Sequence, residues 1–272
     1  MEAPELLQQL IRFNTVNPPG NEGPALEFLR EPLEAAGWDC KLLAKVPERP
    51  NLVARLKGVE PGPNLALISH VDTVPADPAE WSRDPWSGDL VDGYIWGRGA
   101  LDMKDQVAAE VAACVNLAGS GWRPARGDLI LVVAADEETG AHFGAKWLCE
   151  ECPDEVRCDW VLNEGAGERL DFQGRRLFTL SIGEKGTFRF TIVAEGEAGH
   201  GSIPRVGDNA LLKLAPALAN AHRQPDPEST PDTDLFLERL LGHSHDDPNA
   251  ALAEIEAIDP LVAKLQADPM LG

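Results

Sequence analysis

The chain has 272 residues, enough for one large domain or two ordinary ones, and its 43% hydrophobic content is that of a globular protein with a buried core. It carries 45 Asp and Glu against 24 Lys and Arg, and the formal net charge of −21 excludes the basic face that nucleic acid or an anionic membrane demands of a partner. No stretch reaches the ~18 apolar residues of a membrane span, MEAPELLQQLIRFNTVNPPG lacks a basic segment before an apolar one, and five cysteines are few and odd in number; a soluble cytoplasmic protein is expected.

Residues 2–13 and 23–37 repeat Leu, Ile and Phe at helical intervals around the loop NTVNPPGNE. NLVARLKG and NLALISH read as short strands. After a loop holding Pro75, Pro78 and Pro85, GDLVDGYIWGRGA reads as a turn, a strand and a glycine-rich loop. Residues 103–119 read as a buried helix stopped by Gly119. DLILVVAADEE is a near-continuous apolar run, which suits a parallel strand covered on both faces. AHFGAKWLCEE predicts another helix and DWVLNEG another short strand. Helices alternating with apolar strands predict an α/β domain over residues 1–183, with a mainly parallel sheet covered by helices.

The pattern changes after about Gly183. GTFRFTIVAEG alternates apolar and polar residues like a half-exposed antiparallel strand. DNALLKLAPALANAHRQ predicts a helix that Pro216 should kink or break. A second, smaller α+β domain is therefore expected over residues 184–272.

The chemistry gathers where strands end. LALIS runs into His70 and Asp72, two positions that share one face of an extended backbone. YIWGRGAL leads to Asp102, LILVVAA to Asp136, Glu137 and Glu138, and WVL to Glu164. In open α/β sheets, sites lie outside the carboxyl ends of the strands. A histidine and several carboxylates converging there would repel one another, and divalent cations would relieve that. Imidazole with carboxylates and no thiolate suits zinc, with cobalt or manganese as substitutes. The ligands exceed what one open zinc site requires, which hints at two ions and a bridging carboxylate. Glu137 and Glu138 diverge as neighbours, so one suits a ligand and the other a free base. Cys149, Cys152 and Cys158 with His142 form only a weak alternative metal set, at the end of an amphipathic helix.

These residues resemble the metallopeptidase and aminoacylase family that includes acetylornithine deacetylase, succinyl-diaminopimelate desuccinylase, aminoacylase-1 and glutamate carboxypeptidase. The matching stretches are NTVNPPGNE, SHVDTVPAD with WSRDPWSGDLVDGYIWGRGALDMKDQ, VAADEETGAHFGAKWL, VLNEGAG and EKGTFRFTIVAEGEAGHGSIPRVGDNA. They cover nearly all of residues 10–212. The resemblance implies a zinc-exopeptidase-like catalytic domain with an inserted lid, a two-zinc site and a homodimer formed through the lid. It implies His70 and Glu164 as ligands of one metal, Glu138 as a ligand of the other, and Asp102 as a bridge followed by a cis peptide bond. Asp72 would orient His70, Glu137 would be general base and acid, and His200, in AGHGS, would polarise the scissile carbonyl. The implied reaction is hydrolysis of amide bonds in N-acyl amino acids or small peptides.

Two departures from the family pattern stand out. DMKD has an acid where glycine is commoner. In the family the chain returns after the lid to complete the sheet and give a last histidine to the second metal, whereas Gly272 still falls within the lid by pattern. A C-terminally truncated member is expected, one ligand short at the second metal, with an unpaired sheet edge and an exposed apolar face. His222, His243 and His245 are the available substitutes, although HSHDD at 243–247 reads as a solvated loop. Two alternatives stay open: a catalytically silent metal- or partner-binding fragment, and a two-metal phosphoesterase. Basic residues near the motifs, Arg98 and Lys104 apart, are too scarce to favour the latter.

Overall fold

A computed structural model describes residues 1–165, 167, 169–181, 190–203, 206–221 and 229–264. The chain divides into two compact units, Met1–Glu164 and Gly165–Gly272.

The first unit is built on one five-stranded sheet. Its strands are β1 (Asp39–Ala44), β2 (Pro50–Leu56), β3 (Leu65–His70), β6 (Leu129–Ala134) and β7 (Trp160–Leu162), in the order β1-β2-β6-β3-β7. β2 runs antiparallel to β1 and β6, while β3 runs parallel to β6 and β7, so four of the five strands share a direction. A side hairpin, β4 (Asp89–Val91) with β5 (Tyr94–Trp96), occupies the stretch read as a turn and a single strand.

LILVVA in β6 is buried throughout, as a central strand covered on both sides requires. Its alternate residues divide between two cores. Leu129, Leu131 and Val133 pack with α1 (Ala3–Ile11), α2 (Gly23–Ala35) and α3 (Lys104–Gly119), while Ile130 and Val132 meet Leu148 of α4 (Ala145–Glu151). A short α5 (Pro153–Val156) follows. α3 turns Val107, Ala108, Val111 and Ala118 inward at helical spacing.

Lys104, fully buried, sends Nζ to the carbonyls of Leu10 (3.1 Å) and Phe13 (2.8 Å). It satisfies carbonyls at and just beyond the C-terminus of α1, which have no partner within the helix. Burial pushes its pKa down to about 7.

β7 pairs with β3 on one side only, and Trp160 and Leu162 are 70% and 58% exposed. Among the described residues β7 is thus an edge strand with exposed apolar side chains.

In the second unit β8 (Arg169–Phe172) and β9 (Arg175–Phe178) form a hairpin, and α6 (Ala210–Ala221), α7 (Pro231–Leu241), α8 (Pro248–Ile258) and α9 (Pro260–Val262) follow. Phe172, Leu237, Leu240, Leu241, Ala251, Ile255 and Val262 make its core. The alternating stretch is described only in part. Its start, through residue 189, lies outside the described residues, and no strand is assigned to 191–196 among the described residues, with Val193 exposed. Pro216 does not break α6, which continues as one helix through it. The proline removes one backbone donor, which tertiary context can accommodate.

Candidate metal centre

β3, β6 and β7 end at the same edge of the sheet, and each hands a functional residue to the loop beyond it. His70 closes β3, with 2% of its surface exposed. Its Nδ1 faces two oxygens of Asp72, the main-chain carbonyl at 3.0 Å and carboxylate Oδ1 at 3.4 Å. Two acceptors at Nδ1 hold the proton there, and Nε2 of the neutral ring then carries the lone pair.

That lone pair faces Asp102 Oδ1 at 3.3 Å, Glu164 Oε2 at 3.5 Å and Glu137 Oε2 at 3.7 Å. Nε2 is buried and without a hydrogen-bond partner. A lone pair that faces carboxylates needs a cation between them, a metal ion or, without one, a proton. The titration of the groups agrees. Burial disfavours charge on His70, but Asp72, Glu137 and Glu164 outweigh it and push its pKa up to about 9. Glu138 is raised by burial and then by Asp102, and Glu164 is raised by burial, with His70 opposing and Asp102 and Glu137 adding to it. The site carries surplus negative charge.

Ligand atoms of His70, Asp102 and Glu164 all lie within 4.8 Å of one another. Donors bound to one zinc at ~2.0–2.1 Å in a tetrahedron are about 3.3 Å apart, close to the 3.3 and 3.5 Å that separate Nε2 from Asp102 and Glu164. The residues present therefore fit a divalent ion. Glu138 stands outside this trio, with its Oε1 accepting from the Val74 amide at 3.1 Å. Asp102 precedes a cis peptide bond to Met103, as the resemblance implies. A cleft of about 250 Å³ opens at the centre, walled by Ile68, His70, Met103, Ala135, Glu137 and Glu164.

Behind these residues stands a paired network. Fully buried Asp72 accepts from Asn17 Nδ2 (2.8 Å), the Glu137 amide (3.1 Å) and the Glu138 amide (3.3 Å). Burial alone would raise its carboxyl, yet its hydrogen bonds from His70, Asn17 and the Glu137 amide hold it below the usual range. Asp136 accepts from Thr139, Asn17 (2.9 Å), the Phe143 amide (3.1 Å) and Arg49 (3.1 Å), and Arg49 also pairs with buried Glu22. Asp136 sits at φ 64°, which Asp tolerates better than most residues and which turns the chain sharply after β6. Gly144, which opens α4, has no room for a side chain, since a Cβ there would lie 1.8 Å from the Ala135 carbonyl oxygen.

Asn17 and Arg49 escaped the sequence reading. NTVNPPG was quoted whole, but nothing in it distinguishes the asparagine that spans Asp72 and Asp136. His200 belongs to the second unit, where it is exposed and its Nδ1 lies 2.8 Å from Ser202 Oγ. His222 lies outside the described residues. Cys149, Cys152, Cys158 and His142 do not bring their ligand atoms together.

Comparison with known proteins sets this geometry in context. The sequence matches Peptidase family M20/M25/M40 over residues 66–252. Succinyl-diaminopimelate desuccinylase of Rhodospirillum centenum is 36% identical over 239 residues, 83% of this chain and 58% of that protein. The chain thus spans little more than half the length of the curated relatives it matches. A metallo-carboxypeptidase of the M20 family from Sulfolobus solfataricus is 25% identical with a TM-score of 0.53, over 61% of this chain and 38% of that one. A tripeptidase from Staphylococcus aureus shares the fold at 22% identity and a TM-score of 0.54, over 80% of this chain and 55% of that one.

Proposed function

Since the chain belongs to peptidase family M20/M25/M40, we propose that it hydrolyses amide bonds in N-acyl amino acids or small peptides. The observation that carries this reading is the buried, unpartnered His70 Nε2 facing Asp102, Glu164 and Glu137. The desuccinylase relatives make a succinylated diamino acid the first substrate to try.

In this reading His70, Asp102 and Glu164 hold one zinc ion, and Asp102 and Glu138 contribute to a second, with cobalt or manganese as substitutes. The ions supply Lewis-acid polarisation of the carbonyl and a lowered pKa for the attacking water. Asp72 keeps the His70 proton on Nδ1, so that Nε2 stays free to bind. Glu137 takes the proton of the attacking water on its carboxylate and delivers it to the departing amine nitrogen. Its 55% exposed side chain leaves it open to both. His200 is assigned the electrophilic aid to the scissile carbonyl, and two copies are proposed to pair through the second unit.

Phosphoester hydrolysis finds less support. Lys104 is committed to two carbonyls, and Arg98 lies over the Trp81 ring with a bond to the Pro75 carbonyl.

The test loads the chain with zinc or cobalt and follows amine release from succinyl-diaminopimelate and N-acetyl amino acids. Glu137→Gln should retain the metal while turnover falls about 10²–10⁴-fold. Near-normal turnover in that variant would overturn the base assignment. Metal uptake without turnover on any of these amides would reduce the chain to a metal-binding protein.

A further inference from the structure

We propose a second, separate cation site in the second unit, in which His243, His245 and Glu254 bind one zinc ion and clamp the α7–α8 turn onto α8. Nothing in this proposal depends on the centre around His70.

The three side chains meet through their ligating atoms. His243 Nε2 lies 3.1 Å from His245 Nε2 and 3.0 Å from Glu254 Oε2, and His245 Nε2 lies 2.7 Å from the same oxygen. The imidazole rings are tilted by 52° with centroids 4.9 Å apart. Hydrogen bonds alone cannot satisfy this triangle. Each neutral Nε2 carries either one hydrogen or one lone pair, directed along a single line in the ring plane, and an ionised carboxylate only accepts. At most two of the three contacts can therefore be hydrogen bonds. If both nitrogens donate to Glu254, two N–H groups are pressed together; if one nitrogen carries a lone pair, that nitrogen sits unprotonated beside a carboxylate oxygen. A cation near all three atoms uses every lone pair at once. Tetrahedral zinc places such donors about 3.3 Å apart, so the three need to spread by only roughly 0.2–0.6 Å.

The backbone holds these positions before any ion arrives. Gly242 ends α7 in the left-handed conformation (φ 89°), its amide bonded to the Glu238 carbonyl. Asp247 caps α8, accepting from the Asn249 amide at 2.9 Å. The turn between these caps carries His243 and His245 two residues apart. Glu254 lies one residue before Ile255, which is fully buried with Leu240, Leu241 and Ala251 in the core joining α7 to α8. Ligands fixed by packed elements lose little freedom on binding.

Two imidazoles and one carboxylate are donors that zinc accepts and that calcium or magnesium, which prefer all-oxygen sets, do not favour. His243 is half exposed and His245 mostly covered, so an ion can enter from solvent. Three protein ligands leave a fourth position for water.

The experiment uses the full chain, stripped with chelator and titrated with Zn²⁺ against a chromophoric competitor. A His70→Ala/Glu164→Ala background removes the other centre. On that background we expect one zinc ion per chain, and its loss on adding His243→Ala/His245→Ala. Glu254→Gln should weaken it by ~10-fold or more, since even orienting partners of a ligand matter that much. The metal-free melting temperature of each variant checks that folding is intact. Long-range ¹H–¹⁵N spectra of the background chain give a readout that needs no change at the turn: zinc should shift Nε2 of two histidines together. Zinc uptake unaltered by the histidine changes, or spectra that zinc leaves unmoved, would reduce the cluster to hydrogen bonds around Glu254 and overturn the proposal.

Discussion

Replacing Asp72 by Asn keeps the side chain's shape and removes its charge, and the structure fixes what that costs. Asp72 Oδ1 accepts from the Glu137 amide, and Oδ2 accepts from Asn17 and the Glu138 amide. The new NH₂ group must face one set of donors. Facing Glu137 is the milder choice, because it strands one amide instead of two donors. A buried donor without an acceptor costs ~1–3 kcal/mol, and the bonds that remain lose their charge assistance, ~1 kcal/mol more. Together the change should destabilise the metal-free chain by about 2–4 kcal/mol. At ~2–4 °C per kcal/mol, a loss near 3 kcal/mol lowers the unfolding temperature by roughly 6–12 °C. The metal should be affected less than the fold. His70 Nδ1 lies closer to the Asp72 main-chain carbonyl (3.0 Å) than to its carboxylate (3.4 Å), so the proton keeps its acceptor and Nε2 its lone pair. We expect zinc affinity at the His70 centre to fall ~10-fold, the low end of the range for an orienting partner. Circular dichroism melts of chelated protein and competitive zinc titration measure the two effects. Unchanged melting would refute the account of the hub. A hundredfold or greater loss of affinity with melting intact would mean that the carboxylate, not the carbonyl, orients the imidazole.

Arg49→Met should cost about 3–5 kcal/mol, because it leaves Glu22 and Asp136 buried without their cation, as urea unfolding at neutral pH would report. The deficit should shrink in acid. Burial would raise the Asp136 carboxyl, but Thr139, Asn17, the Phe143 amide and Arg49 outweigh it, and a lowered folded pKa contributes stability above the unfolded value near ~4 that is lost as pH falls through the folded one. A deficit constant from pH 7 to 3 contradicts the pairing. At the β7 edge, Val161→Lys should reduce concentration-dependent self-association in sedimentation experiments, since a charge on an exposed apolar edge strand opposes edge-to-edge pairing. Equal association by both chains would mean that another surface drives it.

Much of the first unit was legible because its physics is local. LILVVA can only be covered on both faces, and the helix over 103–119 repeats small apolar residues at helical intervals. The convergence of His70, Glu137 and Glu164 followed from strand ends sharing one edge of a sheet, and Asp102 joins them from the loop that opens α3. β1 was not legible: DCKLLA is a half-exposed edge strand whose identity comes from pairing with β2. Asn17 is neutral, and its partners lie 55 and 119 residues away. Likewise HSHDD reads as a solvated loop until Glu254, a turn and more along α8, is brought beneath it.

The carboxylates around the centre divide into two populations, and the division bears on where the proposed cation would sit. Asp72, Asp136 and Glu22 are buried and surrounded by donors: an asparagine, a threonine, main-chain amides and a guanidinium. Each is satisfied by the chain itself: Asp72 and Asp136 fix the backbone after β3 and β6, and Glu22 holds Arg49 in place beside Asp136. Asp102, Glu137 and Glu164 are 59%, 55% and 40% exposed at the side chain, and each lies against His70 Nε2, a buried nitrogen without a hydrogen-bond partner among the described residues. A protein selected only for stability would gain by pairing these groups or removing them, since a half-satisfied polar cluster is worse than an apolar one. Under the proposed function these three groups, beside a fully satisfied network, are the ones that would take up the charge of a metal ion.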